Sequence, residues 1–259
     1  MKIGIIGTGN IAAYLLEQVN SNQMVEGKVI AVFGRNQKVG SHLSEQFGVD
    51  FHTDIHEFLE TPLDIVVEAA TIEVAGLYAK EVVAYKKDLV VSSIGVFKDS
   101  DFLKEVERVA GSVGAQVFLP SGAIGGLDVL QSAKATGGLK QVRITTRKSP
   151  ASLGIEADEE EVIFEGSAYQ AVEKFPKNVN VAMTLALAGI GFEKTIVRII
   201  VDPDVVRNTH TIEAIGDFGR IELTVENNPM PNNPKTSLLA ALSVLAVLQN
   251  KDKALRIGN

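Results

Sequence analysis

Three groups of residues in this chain have the types and spacing to do chemistry. The first is Gly7-Thr8-Gly9-Asn10-Ile11-Ala12, a G-x-G-x-x-A run directly after the apolar residues 2–6. In that context Gly7 permits a tight turn, and Gly9 lets a pyrophosphate approach the backbone. Ala12 is small enough for a helix to pack on the strand. Asn10 and Ile11 open that helix, whose free N–H groups and partial positive charge face the phosphates. Gly7, Gly9, Asn10 and Ile11 are therefore candidate dinucleotide contacts. The plainer alternative is a tight turn with no ligand.

The second strand of such a domain usually ends in an acid that holds the ribose hydroxyls. Here that end reads Phe33-Gly34-Arg35-Asn36, without an acid. Arg35 could pair with a 2′-phosphate, which favours NADP, or use of both cofactors, over strict NAD. It could also be a solvent-facing arginine.

The second group is the glycine-rich stretch Ser121-Gly122-Ala123-Ile124-Gly125-Gly126, after Leu119-Pro120. It follows the last apolar strand of the first half, at the edge where open α/β sheets bind ligands. The third is His210, in Arg207-Asn208-Thr209-His210-Thr211-Ile212-Glu213-Ala214. Its parity places it with Asn208 and Ile212, opposite Thr209 and Thr211. A strand histidine is often only a satisfied hydrogen-bonding partner. Imidazole nevertheless titrates at about pH 6.5 when unperturbed and can accept a proton near neutrality. The chain has four histidines, and the other three, His42, His52 and His56, read as surface residues.

Elements must hold these groups in place. Residues 2–6, 29–33, 64–70, 89–93 and 116–119 are apolar strands, with helical sequence at about 11–19, 36–47, 74–85 and 99–111. Continuously apolar strands between amphipathic helices mean a parallel sheet covered on both faces. Residues 1–120 therefore read as a doubly wound α/β Rossmann domain. After Pro120 the pattern changes. Val142, Ile144 and Thr146 alternate with Arg143, Thr145 and Arg147, and Ile221, Leu223 and Val225 with Arg220, Glu222, Thr224 and Glu226. Period two signals an antiparallel sheet with one covered face, and Gly216-Asp217-Phe218-Gly219 reads as its hairpin turn. Residues 121–235 thus form an α+β second domain with a helix at about 179–188. A C-terminal helix at 236–249 is expected to complete the first domain.

Taken together, the glycine fingerprint, Leu119 to Asp128, Phe175-Pro176-Lys177-Asn178-Val179-Asn180-Val181-Ala182, the His210 segment and Asn232-Asn233-Pro234-Lys235-Thr236-Ser237 resemble the L-aspartate dehydrogenase family over nearly the whole chain. The resemblance implies a second domain like that of glyceraldehyde-3-phosphate dehydrogenase. It implies oxidation of L-aspartate with NAD or NADP to iminoaspartate, which hydrolyses to oxaloacetate and ammonia or feeds NAD biosynthesis. It places the family's catalytic histidine on His210 and its nicotinamide contacts on Ala123 and Asn180. Hydride loss from an amino acid requires a deprotonated amine, a role open to His210. Two substrate carboxylates call for cations or convergent N–H donors. Lys177, Lys235 and the Ser121-Gly122 backbone are the candidates, with ordinary surface lysines as the alternative. Asn178 and Asn180 start a helix, so one could simply cap it. Glu68, Glu73 and Asp128 are lesser acid–base candidates.

Composition removes other classes. Of 259 residues, 46% are apolar and 22% charged, which suits a folded globular protein. Net charge is −7, so nucleic acid is a poor partner. Cysteine is absent, which excludes disulfides and thiolate chemistry. No His, Asp and Glu cluster has metal-ligand spacing, so no metal is expected. The acidic run Asp158 to Glu161 reads as a solvated loop. No secretory leader or apolar run of about 18 residues stands out, so the cytoplasm is expected, with no membrane partner. Sugar dehydrogenases often carry a Glu-Lys-Pro step where this chain has Val91-Ser92-Ser93-Ile94-Gly95. Two rival readings are another two-domain oxidoreductase and a module that senses NAD(P)H without chemistry. A homodimer through the second domain's sheet is expected by analogy alone.

Overall fold

The computed structural model describes residues 1–175, 180–231, 233–255 and 257–258. The chain divides into two compact units, one of Met1–Pro120 with Val244–Lys253, the other of Ser121–Ser243 with Ala254–Asn259.

The first unit holds six strands: β1 (Lys2–Ile6), β2 (Lys28–Phe33), β3 (Asp50–His52), β4 (Ile65–Glu68), β5 (Asp88–Val91) and β6 (Val117–Phe118). Every pairing is parallel and the order is β3-β2-β1-β4-β5-β6, a doubly wound sheet that reverses direction beside β1. Ile3, Ile5, Val29, Val32, Ile65, Val67 and Val90 are buried in one core with Leu15, Leu16 and Leu43. Each such side chain contributes about 1.5–3 kcal/mol. Val244, Leu245 and Leu248 of the helix Leu238–Asn250 join that core. Side-chain caps set several helix starts. Asn36 accepts from the Val39 amide at 3.2 Å, and Thr71 from the Val74 amide at 3.3 Å.

The stretch 50–60, which lacks a readable pattern, contains β3 and the helix Ile55–Glu60. Three strand residues are too few to show a period. His52 therefore sits in a strand, half-buried, and is not a surface residue; its Nε2 is buried without a hydrogen bond. His42 and His56 are exposed.

The second unit is a five-stranded sheet of β7 (Leu139–Lys148), β8 (Glu161–Ser167), β9 (Ile196–Val201), β10 (Asn208–Gly216) and β11 (Gly219–Asn227), in the order β11-β10-β7-β9-β8. The antiparallel pairs β7–β10, β10–β11 and β8–β9 flank one parallel pair, β7–β9, so the sheet is mixed. The acidic run is only partly loop. Glu160 pairs with Arg147, and Glu161 begins the edge strand β8. A small ribbon, β12 (Pro229–Met230) with β13 (Asn233–Ser237), precedes the last helix, which starts at Leu238 rather than 236. Among the described residues no helix is long and apolar enough to cross a membrane.

Candidate functional site

The dinucleotide loop has the geometry its residue types require. Gly7 takes φ +121°, and a Cβ there would meet the Ala69 carbonyl oxygen at 2.6 Å. Only glycine permits this turn. A Cβ on Gly9 would meet nothing within 4 Å, so the space above it is open. Gly9 is the N-cap of the helix Asn10–Leu16, which makes no side-chain cap, leaving its first amides to face that space. Asn10 and Ile11 are the helix's first residues. Beside the loop lies a cavity of about 330 Å³, lined among others by Gly7, Thr8, Gly34, Arg35, Thr71 and Tyr78. No Asp or Glu lines it, and Arg35 is its charged residue. These features fit the pyrophosphate and adenosine half of a dinucleotide.

Glu68 ends β4 and is buried. Its carboxylate accepts from the Ala70 amide, the Ser93 amide and the Ser93 hydroxyl, each at 2.9 Å. It thereby ties the loop after β4 to the loop after β5. Burial pushes its pKa up, against the pull of these donors. Glu73 and Asp128 are exposed in the first turns of their helices, where acids favour the dipole.

In the second unit, the covered face of the sheet changes character along the strands. Val142, Ile144, Ile212 and Ala214 make it apolar at one end. At the other end the same parity brings Thr146, Lys148, Asn208, His210 and Asn227, all buried. Thr146 pairs across the ladder with His210, and its hydroxyl lies 2.9 Å from His210 Nδ1. That contact orients the ring through Nδ1. Burial, then the Lys148 charge, pushes His210 down to about 3. The ring is therefore neutral at neutral pH, well away from its unperturbed titration. Burial pushes Lys148 down to about 8.

Ala123 is tied to this face. Asn227 Nδ2 donates to the Ala123 carbonyl at 3.0 Å and to the Asn208 carbonyl at 3.4 Å. The Gly122 amide donates to Ser243 Oγ at 3.1 Å, which occupies one predicted substrate donor. Ser121 is half-buried. Asn180 is the first residue of the helix Asn180–Ala188, and its carbonyl accepts from Thr184. Lys177 and Asn178 lie outside the described residues. Lys235 lies on β13, with its side chain outside the description. Among the described residues no group of three metal-ligating side chains forms.

Sequence reasoning missed Lys148 and Asn227. The signal was parity: Lys148 falls in step with Val142, Ile144 and Thr146, and a lysine on the covered face of a strand is unusual.

Comparison with known proteins agrees with both halves. Residues 128–251 match the family described as aspartate dehydrogenase, C-terminal, and residues 7–120 match the homoserine dehydrogenase NAD-binding domain. The L-aspartate dehydrogenase of Archaeoglobus fulgidus is 40% identical over 98% of this chain and 99% of its own. That of Methanococcus maripaludis strain S2 is 34% identical over 100% of this chain and 99% of its own. A crystal structure of aspartate dehydrogenase from Thermotoga maritima superposes with a TM-score of 0.82 at 33% identity, covering 100% of this chain and 99% of that one. A scyllo-inositol dehydrogenase from Lactobacillus casei, at 11% identity and a TM-score of 0.59, shares the fold alone. With a dinucleotide loop in one unit, a buried histidine in the other and relatives matched over their whole length, the chain belongs to the aspartate dehydrogenase family.

Proposed function

We propose that this protein oxidises L-aspartate with NAD(P) to iminoaspartate. The observation that carries the chemistry is His210, held neutral and buried against Thr146 on the polar end of a sheet face. When bound, the nicotinamide supplies the acceptor for the hydride leaving the substrate Cα. Everything else falls to side chains and backbone of this chain. His210 Nε2 takes the proton of the substrate ammonium, so that the nitrogen lone pair can form the imine as the C–H bond breaks. Thr146 holds the ring in the orientation this needs. Ala123, whose carbonyl Asn227 anchors, and Asn180 are the proposed nicotinamide contacts. Ser121, Lys177 and Lys235 are the proposed substrate contacts, while the Gly122 amide donates to Ser243 Oγ instead.

Iminoaspartate then hydrolyses to oxaloacetate and ammonia, or feeds NAD biosynthesis, in the cytoplasm. The cofactor we favour is NADP, because Arg35 is exposed at a cavity without an acid. Arg35→Asp is expected to move preference toward NAD; an unchanged ratio of the two affinities would sink that assignment. We place a homodimer interface on the outer face of the five-stranded sheet, and sedimentation as a monomer at micromolar concentration would remove it.

The test of the activity is appearance of reduced nicotinamide on adding L-aspartate to purified protein with NAD or NADP, beside His210→Ala. Aspartate-dependent reduction, lowered in the variant by about 10²–10⁴-fold, is expected. No reduction with either cofactor across mildly alkaline pH would discard the reaction.

A further inference from the structure

We propose that the side-chain oxygen of Asn227 holds the amino group of the substrate beside His210. The inference rests on the aspartate reading above and names the acceptor that the substrate amine meets.

Asn227 is the last residue of β11 and is 3% exposed. It pairs across the ladder with Asn208, two residues before His210, and shares the covered face with both. Asn227 and His210 are thus diagonal neighbours, about 7–8 Å apart at their backbones, and one atom between their side-chain ends can touch both. The amide is oriented by its own hydrogen bonds. Nδ2 gives its two N–H groups to the Ala123 carbonyl at 3.0 Å and the Asn208 carbonyl at 3.4 Å. The reverse orientation would set Oδ1 against two carbonyl oxygens. Oδ1 is buried and, among the described residues, has no hydrogen-bond donor. An unmet buried acceptor costs about 1–3 kcal/mol, and such a group calls for a ligand or a water to complete it.

The missing donor must lie on the face that carries His210. The substrate ammonium fits, because it has three N–H groups. One faces the imidazole, which takes its proton, and a second remains for Oδ1. A hydroxyl, with one proton, could satisfy only one of the two acceptors, so the pair selects an amino acid over a hydroxy acid. Oδ1 also acts in the hydride step. As the C–H bond breaks, the nitrogen lone pair closes the C=N bond and the nitrogen becomes positive. The negative end of an amide dipole already fixed in place stabilises that charge. Asn227 itself takes up no proton; that part stays with His210.

The experiment compares L-aspartate with succinate, which has both carboxylates and no amine. The protein is saturated with reduced cofactor, which can accept no hydride, so both ligands bind without turnover. Calorimetry gives both affinities for wild type and Asn227→Ala. Loss of the Ala123 anchor, or of a water at Oδ1, would weaken the two ligands alike. The expected result is a fall in L-aspartate affinity about 10- to 100-fold beyond any fall for succinate. Asn227→Leu, close to asparagine in shape, repeats the comparison where the smaller side chain fails to hold cofactor. Asn227→Asp keeps an acceptor oxygen but not the donor to Ala123, and should keep the advantage of aspartate over succinate. Equal losses for the two ligands, or no L-aspartate binding by wild type, overturn the proposal. Loss of the advantage in Asn227→Asp assigns the effect to the anchor and overturns it as well. The two readings fail separately. An amine-selective loss without aspartate oxidation would sink the reaction and leave the amine site. Aspartate oxidation with equal losses would do the reverse.

Discussion

Lowering the pH should destabilise this protein through His210. Its ordinary value is 6.5 and its folded value about 3, with burial the larger cause and Lys148 the second. A depressed folded pKa means that the unfolded chain binds the proton more readily. Stability from this group is complete above about pH 6.5 and declines as pH falls toward about 3. Each pH unit below 6.5 costs about 1.4 kcal/mol, so the loss by about pH 5 is about 2 kcal/mol. That figure is insensitive to the folded value, because pH 5 lies well above it and the native ring is still neutral there. The ring is 2% exposed, so solvent does little to screen the effect. The assay is urea unfolding at about pH 7, 6 and 5 for wild type and His210→Gln, which keeps a polar group beside Thr146 but cannot titrate. The two units can unfold separately, and other groups titrate too, so the quantity read is the difference between the two proteins. Wild type should lose about 2 kcal/mol more than the variant between pH 7 and pH 5. Parallel pH dependence in both would refute the reasoning, because it would mean that His210 takes a proton in the folded protein as easily as in the unfolded one.

Other consequences follow from the same geometry. Gly9→Ala should melt like wild type, since the new methyl meets no protein atom, yet bind cofactor at least about tenfold more weakly by fluorescence titration. Gly7→Ala should instead lose about 1–3 kcal/mol of stability, through its φ of +121° and the Ala69 carbonyl. Asn227→Ala strips the Ala123 carbonyl of its donor, and should cost about 1–3 kcal/mol in urea unfolding while weakening cofactor binding. In Lys148→Met, nuclear magnetic resonance should show His210 titrating above its wild-type value of about 3 but below 6.5, because burial, the larger cause, persists. An unmoved titration would mean that the two side chains do not sense each other.

The first unit was the more legible. A parallel sheet covered on both faces writes itself as apolar runs, and the strands at residues 2–6 and 29–33 fall within a residue of β1 and β2. The glycine fingerprint was readable because each residue type answers a local demand, for a turn, an open approach or a close packing distance. What escaped were β3, with three residues, and the edge strand β8, whose acidic start resembles solvent-exposed sequence. Alternation alone disclosed the covered face of β7 but not that β9 would join it in parallel, since pairing direction leaves no mark on period two. His210 was visible by type. Its environment was not, because Lys148 lies 62 residues away in sequence and reaches the same face only through the β7–β10 register.

That register accounts for the state of His210 better than any single residue does. A histidine buried alone would be a neutral base with little reason to accept a proton. On one sheet face with Lys148, the ring has a second cause disfavouring protonation, the lysine charge. Removing that charge in Lys148→Met should therefore ease protonation of His210 and shift the pH dependence of kcat for L-aspartate. An unmoved pH profile would show that the lysine charge does not govern proton transfer at the ring.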